Sequence, residues 1–169
     1  NSAPDGGALF LHNGAQWTDI NGSFVRNNAT VNGGAVYGAD PNLVNTTGTR
    51  FEDNGATDGG ALYFSVPNSV HLTNPTFEDN VASGNGGAMC LKDAGILHVN
   101  GGQFTRNTAE YGGAIYAQQL EGFFLDWTES RVNTATQSGG AVYLNAVSEA
   151  HVQRSIFFNN GAGADGGAW

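Results

Sequence analysis

Short stretches of alternating apolar and polar residues recur along the chain, each directly after a Gly-Gly-Ala tripeptide. Successive tripeptides begin 26 or 27 residues apart. A two-residue period predicts a β-strand, because successive side chains of a strand point to opposite faces. The predicted strands are centred on Leu9-Phe10-Leu11, Val36-Tyr37-Gly38, Leu62-Tyr63-Phe64, Met89-Cys90-Leu91, Ile115-Tyr116-Ala117 and Val142-Tyr143-Leu144. One strand is therefore predicted at the same place in every repeat.

Two further strands are predicted in each repeat. The second shows apolar pairs such as Val70/Leu72 and Leu97/Val99. The third carries a Phe-x-x-Asn-x-Ala motif that starts 18 residues after the first glycine. Turn formers such as Asn74-Pro75 separate the strands. No segment shows a helical period, so the chain is predicted to be all-β.

A repeat of this length, built from three short strands, is typical of a solenoid in which each unit buries its apolar face against its neighbours. Each strand would pair with its counterpart about 4.8 Å away in the next coil. We therefore predict a single-stranded parallel β-helix of about six rungs of 26–27 residues, with residues 1–169 as one array.

Stacking in register places like residues above one another as ladders. The motif predicts an inward aromatic column and an asparagine ladder that satisfies backbone groups at a turn. The column comprises Phe24, Phe51, Phe77, Phe104 and Phe157, and the ladder comprises Asn27, Asn54, Asn80, Asn107, Asn133 and Asn160. In the fifth repeat Ser130 replaces Phe, and we expect Trp127 or Val132 to fill part of the lost volume.

The fixed offset between Gly-Gly-Ala and Phe-x-x-Asn resembles the repeat of the chlamydial polymorphic outer-membrane proteins, here called the Pmp-type repeat. The resemblance covers nearly the whole chain, and the fifth copy alone departs from it, at Ser130. It implies a right-handed parallel β-helix that is exported and displayed for adhesion. An extracellular or cell-surface location is therefore expected.

Charge and cysteine content narrow the possible partners. The formal net charge is -9 and the six basic residues are scattered, so we predict no binding to nucleic acid. No apolar run approaches the roughly 20 residues that span a bilayer, so this segment is predicted to contain no membrane span. The single Cys90 allows no intrachain disulfide, and no Cys/His cluster has zinc-ligand spacing. No cofactor is predicted.

The centre of the second strand forms a row whose side chains are predicted to point outward. We interpret this row as a structural ladder of imidazole and aromatic rings. A metal shared by His71 and His98 is the alternative, although two imidazoles are few ligands for a tight site. The row consists of Thr18, Asn45, His71, His98, Phe124 and His151.

Charged residues stack just before the repeated asparagine. Arginines bracket the acids, which favours a surface ion-pair column. Weak calcium binding at Asp53 and Asp79, or catalysis by paired carboxylates, are the alternatives. The column consists of Arg26, Glu52, Asp53, Glu78, Asp79 and Arg106.

Tyrosines alternate with aliphatic residues in the first strand, and we place the aliphatic row inside. The outer stripe can then bind sugar rings or pack laterally; a buried tyrosine ladder is the alternative. Cys90 within the row is interpreted as a small hydrophobe. Three sequons, at Asn21, Asn28 and Asn45, make N-glycosylation possible.

These features favour an extracellular structural or adhesive scaffold, either a surface-displayed rod or a fibril component, without enzymatic activity. The alternatives are a carbohydrate-binding or carbohydrate-active β-helix and an ice-binding solenoid, although no row provides the regular threonines that ice binding needs. We expect the open ends to meet further copies or flanking protein, as a segment of a longer rod or a fibre subunit. Glycans or host and cell-surface molecules are further expected partners.

Overall fold

The structure is a computed structural model that describes residues 1–168. These residues form short strands joined by tight corners, with no helix among them. Each strand pairs in parallel with its counterparts one repeat before and after. The pairings build four parallel sheets that run side by side along a coil of about six turns.

Sheets I and II carry the first and second strands of each repeat. Sheet I consists of Leu9–His12, Val36–Ala39, Leu62–Ser65, Met89–Lys92, Ile115–Gln118 and Val142–Asn145. Sheet II consists of Gln16–Ile20, Leu43–Thr47, Ser69–Thr73, Ile96–Asn100, Gly122–Asp126 and Glu149–Gln153.

Sheets III and IV complete each rung. Sheet III carries the repeated phenylalanine and consists of Ser23–Val25, Arg50–Glu52, Thr76–Glu78, Gln103–Thr105, Glu129–Arg131 and Ile156–Phe158. Sheet IV follows the repeated asparagine and consists of Ser2–Asp5, Asn28–Asn32, Gly55–Ala56, Val81–Ala82, Thr108–Ala109, Thr134–Ala135 and Gly161–Ala162.

The all-β parallel β-helix with its three strands per repeat is confirmed, and the fold matches the right-handed form. Sheet IV is an addition to the prediction. Most of its strands are only two residues long, and two residues are too few to display a period in the sequence. It joins the asparagine turn to the glycine corner.

Each complete rung turns four corners, and at least one residue with positive φ lies at each of them. In the third repeat these residues are Gly59, Val66, Asn74 and Asp79, with φ between 48° and 63°. Glycine, asparagine and aspartate tolerate this left-handed conformation, whereas a β-branched residue such as Val66 rarely adopts it. The corners therefore favour these residues, although Val66 and other side chains also occupy them.

The two glycines of Gly-Gly-Ala serve different purposes. Gly59 supplies the positive φ of its corner. Gly60 has no such φ, but a Cβ atom there would lie 2.1 Å from the carbonyl oxygen of Gly87 in the next rung. The first glycine therefore provides the turn, and the second allows two rungs to approach closely.

The aliphatic row of sheet I lines the core, as expected. Its members from the second repeat onward are at most 2% exposed: Val36, Leu62, Met89, Ile115 and Val142. The phenylalanines of sheet III and inward residues of sheet II, such as Leu97 and Phe123, complete the same core cluster. The interior is thus a continuous apolar column bounded by sheets I, II and III.

The expectation that Trp127 or Val132 fills the space at Ser130 is wrong. Trp127 is 62% exposed and Val132 is 42% exposed. Both occupy corner positions with positive φ. Ser130 itself is buried, and its hydroxyl accepts a hydrogen bond of 3.0 Å from Asn133 Nδ2.

A comparison with the first rung indicates a different source of aromatic volume for the fifth rung, in sheet II. In the first rung, the inward residue Trp17 contacts Phe24 edge to face, with ring centroids 5.7 Å apart. The residue that corresponds to Trp17 in the fifth rung is Phe123, which is fully buried. We therefore attribute the tolerance of serine at position 130 to Phe123.

This compensation predicts coupling between positions 123 and 130. Ser130→Phe alone should overpack the rung and lower the free energy of unfolding by about 1–3 kcal/mol. Adding Phe123→Leu should recover most of that loss, because the added and removed rings compete for the same space. Urea denaturation of the two single variants and the double variant measures the coupling. Strictly additive effects would show that the two side chains do not share a space.

One buried hydroxyl in the described residues has no hydrogen-bond partner, that of Thr46. Thr46 is fully buried and points inward in the row that Val99 and Val152 also occupy. Thr46→Val should raise the free energy of unfolding by about 1 kcal/mol, because it removes an unsatisfied polar group without changing shape. Thr47→Val, at the exposed neighbouring position, is the matched control for β-propensity. A loss of stability in Thr46→Val would contradict the interpretation.

Candidate functional site

The phenylalanines of sheet III form a stacked column. Adjacent ring centroids from Phe24 to Phe104 lie 4.7 to 5.2 Å apart, and their planes differ by 7° to 12°. Phe51, Phe77 and Phe104 are buried, whereas Phe24 is partly buried. Phe157 pairs with Ser130 in register and packs against the same core. The serine therefore interrupts the column between the fourth and sixth repeats.

The repeated asparagines point inward and form a continuous hydrogen-bonded ladder. Asn80 shows the pattern: its Oδ1 accepts bonds from the backbone N and the Nδ2 of Asn54, at 3.1 and 2.9 Å. Its Nδ2 donates to the carbonyl oxygen of Phe51 and to Oδ1 of Asn107, both at 3.0 Å. The same arrangement holds from rung to rung through Asn27, Asn54, Asn80, Asn107, Asn133 and Asn160. Each of these amides satisfies a backbone carbonyl or amide that the turn would otherwise leave unpaired.

The central row of sheet II lies on the outer surface. The rings of His71 and His98 lie 6.1 Å apart, and those of Phe124 and His151 stack at 5.5 Å. His98 Nε2 is 3.7 Å from a carboxylate oxygen of Asp126. Among residues 1–168 no group of three histidine, cysteine or acidic side chains is placed to hold a metal ion. The His71–His151 part of the row is a ladder of rings on the outer face of sheet II.

This row predicts a pH-dependent stability. Burial, and to a lesser extent the charge of His98, lower the pKa of His71 below its ordinary value. The unfolded chain then binds a proton near pH 6.5 that the folded chain binds only at lower pH, so stability falls as the pH drops below about 6.5. Asn45 occupies the equivalent position in the preceding rung. The substitution His71→Asn should therefore be tolerated and should make the stability depend less on pH in this range. An unchanged pH dependence, measured by thermal unfolding, would contradict the assignment.

The charged residues before the repeated asparagine form an ion-pair column on the surface. Arg106 binds Asp79 through two hydrogen bonds of 2.8 Å and also contacts Glu78. Nε of Arg26 lies 3.7 Å from a carboxylate oxygen of Asp53. The carboxylates considered as calcium ligands or catalytic groups thus form ion pairs with arginines. Such exposed pairs contribute little to stability.

The tyrosine row lies on the outer side of sheet I, where Tyr37, Tyr63 and Tyr143 are half-buried and Tyr116 is buried. The rings of Tyr37 and Tyr63 stack at 5.5 Å and those of Tyr116 and Tyr143 at 5.3 Å. Cys90 separates the two pairs and is fully buried between them. Burial raises the pKa of the Cys90 thiol well above its usual range, so the thiol stays protonated and unreactive. The outer face of sheet I is therefore an interrupted tyrosine stripe.

Residues 101–118 match the family model of the Chlamydia polymorphic membrane protein repeat. The matched stretch runs from the phenylalanine motif through the next Gly-Gly-Ala and its strand. The chain contains the Pmp-type repeat. In the other rungs the same motifs lie in the same sheets, in register with the matched stretch. No curated protein and no solved structure matches the chain.

The residue before each Gly-Gly-Ala forms a polar row that the sequence analysis missed. In the third Pmp-type repeat it is Asp58, whose carboxylate accepts hydrogen bonds of 2.8 Å from Lys92 and 2.9 Å from Asn85. Burial, the largest single effect, lowers the pKa of Lys92, but the hydrogen bond to Asp58 and the charges of the neighbouring Cys90, Asp58 and Tyr63 together raise it overall. Each member of the row directly precedes a Gly-Gly-Ala tripeptide, and this constant position could have identified the row from the sequence.

Lys92 also lies over the ring of Tyr63, 5.5 Å from its centroid. Burial raises the pKa of Tyr63 to about 12, although the charge of Lys92 opposes this effect. The lysine therefore ties the polar row to the tyrosine stripe across a corner of the rung.

The three sequon asparagines all lie on the exposed surface of the Pmp-type repeats. Asn21 sits at a corner, Asn28 begins a strand of sheet IV, and Asn45 lies in the central row of sheet II. Their exposure leaves room for attached sugars, and glycosylation stays a prediction. Among residues 1–168 the structure has no helix long and apolar enough to cross a membrane.

Proposed function

We propose that this chain is a structural and adhesive rod that works outside the cell or at its surface. The observation that carries the proposal is the continuous asparagine ladder, which joins every rung to the next through buried hydrogen bonds. A solenoid held in this way is an elongated scaffold with regular outer faces, and such scaffolds suit extended binding surfaces. The match to a repeat named for a chlamydial membrane protein supports the location.

The outer faces supply the adhesive part of the proposal. Sheet I presents the tyrosine stripe and sheet II presents the row of imidazole and aromatic rings, so both faces offer aromatic groups in register. Aromatic residues dominate recognition because each buries a large area at a low cost in conformational entropy. Glycans or proteins of a neighbouring surface are the proposed partners, together with further copies of the rod or flanking protein at the ends of the coil.

The proposed function is not catalytic. Asp53, Glu78 and Asp79 are engaged with arginines on the surface. The pKa of Cys90 is raised by burial, so this thiol is not an activated nucleophile. These observations support a binding role over a hydrolytic one.

Labelling of intact source cells tests display. Antibodies raised against the purified chain should bind intact cells, and beads coated with the folded chain should attach to such cells. Beads coated with the heat-unfolded chain serve as the control. Labelling that appears only after permeabilisation would overturn the proposal.

A further inference from the structure

A cavity of about 560 Å³ lies on the outer surface, at the corner between sheets II and III. It extends from Asn74 and Pro75 in the third repeat, past Gly102, to Trp127 and Arg154 in the fifth and sixth repeats. The cavity thus crosses three rung spacings, roughly 14 Å. Its size falls within the range of small-ligand sites.

Two large side chains stand at this corner where the other rungs have small ones. The corner residue adopts positive φ in every repeat, and the row reads Asn21, Gly48, Asn74, Gly101, Trp127 and Arg154. Asparagine and glycine are the residues that best tolerate this conformation. Tryptophan and arginine adopt it only at a cost in backbone strain, so these two residues depart from what the backbone of this corner favours.

Trp127 and Arg154 form a stacked pair. The guanidinium carbon of Arg154 lies 5.2 Å from the centroid of the Trp127 ring, a cation–π contact. Trp127 nevertheless remains 62% exposed. Because the guanidinium is planar, stacking on the ring leaves its N–H groups free to bind in their own plane.

Arg154 is the one basic side chain of the described residues that has no ion pair. Arg26, Arg50, Lys92, Arg106 and Arg131 each pair with a carboxylate. The protein carries 15 acidic residues for six basic ones, so an unpaired arginine is unexpected. Its donors are available to an anionic ligand.

On the other side of Trp127 the preceding rung has no side chain at the corner. Gly101 occupies the equivalent position and Gly102 follows it, both with positive φ. The backbone N of Glu129 bonds to the carbonyl oxygen of Gly102, which fixes the glycines directly beside the Trp127 rung. The result is a notch next to an exposed indole, and the Oδ1 atom of Asn74 forms its floor, 2.1 Å from where a Cβ atom of Gly101 would lie.

We propose that this corner binds an acidic glycan. One pyranose ring lies in the notch, with its C–H bonds against the electron-rich face of Trp127. The carboxylate of the adjoining sugar, which passes the edge of the indole, accepts paired hydrogen bonds from Arg154. The hydroxyls of the neighbouring sugars meet the polar groups of Asn74, Thr76 and Gln103 that line the rest of the cavity.

The lining favours a sugar over a protein partner. Protein interfaces place several apolar anchors around a central residue. The cavity is lined by six polar or charged residues and three apolar ones: Asn74, Thr76, Gln103, Thr128, Glu129 and Arg154 against Pro75, Trp127 and Ile156. The one carboxylate among them, that of Glu129, is paired with Arg131. A ring that carries many hydroxyls and one charge complements this surface.

The inference deepens the adhesive part of the proposed function and rests on it, but its test uses the purified protein alone. The probe is the trisaccharide of galacturonic acid, and its methyl ester is the matched neutral probe. The indole N–H signals of the three tryptophans are followed by nuclear magnetic resonance during titration. We expect the acid to shift the Trp127 signal, and the methyl ester to bind at least about tenfold more weakly.

Variants locate the site on the chain. Asparagine already occupies the equivalent corner of the third repeat, as Asn74. Trp127→Asn should therefore abolish binding without unfolding the rung. Gly101→Asn should fill the notch with the same effect. Arg154→Gln should remove the preference for the acid over its ester. Phe158→Ala is the control, because Phe158 is an exposed ring that stacks with Arg131 outside the cavity.

Several outcomes would overturn the glycan site. These are equal binding of acid and ester, binding that survives Trp127→Asn, or no binding of either probe. If coated beads attach to cells stripped of their glycans and Trp127→Asn abolishes that attachment, the corner binds a protein instead. In each case surface labelling of intact cells would still stand, so failure of this inference is distinct from failure of the proposed function.

Discussion

Phe77→Ala should lower the free energy of unfolding by about 3–5 kcal/mol. Phe77 is fully buried, and its ring stacks between Phe51 at 4.7 Å and Phe104 at 4.9 Å. Truncation removes the transfer free energy of the ring and leaves a cavity that the flanking rings cannot close, because backbone pairing on both sides fixes them. Urea denaturation followed by circular dichroism measures the change.

The matched control for Phe77 is its neighbour Glu78 on the outer face of the same strand. Glu78 contacts Arg106 and Arg50 in the surface column. Because exposed ion pairs are weak, Glu78→Ala should cost about 0.5 kcal/mol or less. If the two variants unfold at the same urea concentration, the inward column is not what stabilises the rung.

Asn80→Ala should cost at least about 3 kcal/mol, since it breaks four buried hydrogen bonds at once. The backbone N and the Nδ2 of Asn54 lose their acceptor. The carbonyl oxygen of Phe51 loses its donor, and Oδ1 of Asn107 loses one of two. Because these groups stay buried in the turn, water cannot replace the lost partners.

Asn80→Asp separates shape from hydrogen bonding. An ionised carboxylate would face the carbonyl oxygen of Phe51 and Oδ1 of Asn107, so its pKa in the folded chain should rise above the unfolded value of about 3.9. The folded chain then binds a proton at a pH where the unfolded chain does not, and stability should increase as the pH falls through that window.

Asn159→Asp is the control for this charge effect. Asn159 is exposed at a corner where the second and third rungs already carry Asp53 and Asp79. Its stability should differ little from that of the parent chain at any pH. An Asn80→Asp variant that behaves like Asn159→Asp would show that the ladder amides do not act as donors.

The repeated motifs predict most of this fold because the rungs stack in register. Because equivalent residues recur at a regular spacing, a prediction that Phe77 and Asn80 point inward in one rung holds for their counterparts in the other rungs. What the pattern misses depends on single rungs or on contacts across corners. The two-residue strand Val81–Ala82 is too short to show a period. The compensation of Ser130 by Phe123 involves two different strands of one rung. The spacing between repeats carries no information about such a contact within a rung.

Some of the candidate surfaces could likewise be predicted from the repeat, and others could not. The ring ladder of sheet II and the ion-pair column follow from alternation, because each involves one row of equivalent positions. The bond between Asp58 and Lys92 joins two different rows across a corner. The pair of Trp127 and Arg154 breaks its row of asparagine and glycine, so the departure from the repeat was the available signal. A sequence read for its regularities overlooks such departures.

The direction of the backbone hydrogen bonds has a mechanical consequence. Bonds between rungs, such as those that join Leu62–Ser65 to Met89–Lys92, run along the long axis of the coil. Tension on the two chain ends falls on the few bonds at the free end of a terminal rung, whereas each inner rung shares the same load over all of its bonds. The terminal rung therefore peels away first. Each rung that opens frees 26 or 27 residues, which extend to roughly 90 Å. A tether made of such rungs lengthens stepwise under load while its remaining rungs stay folded.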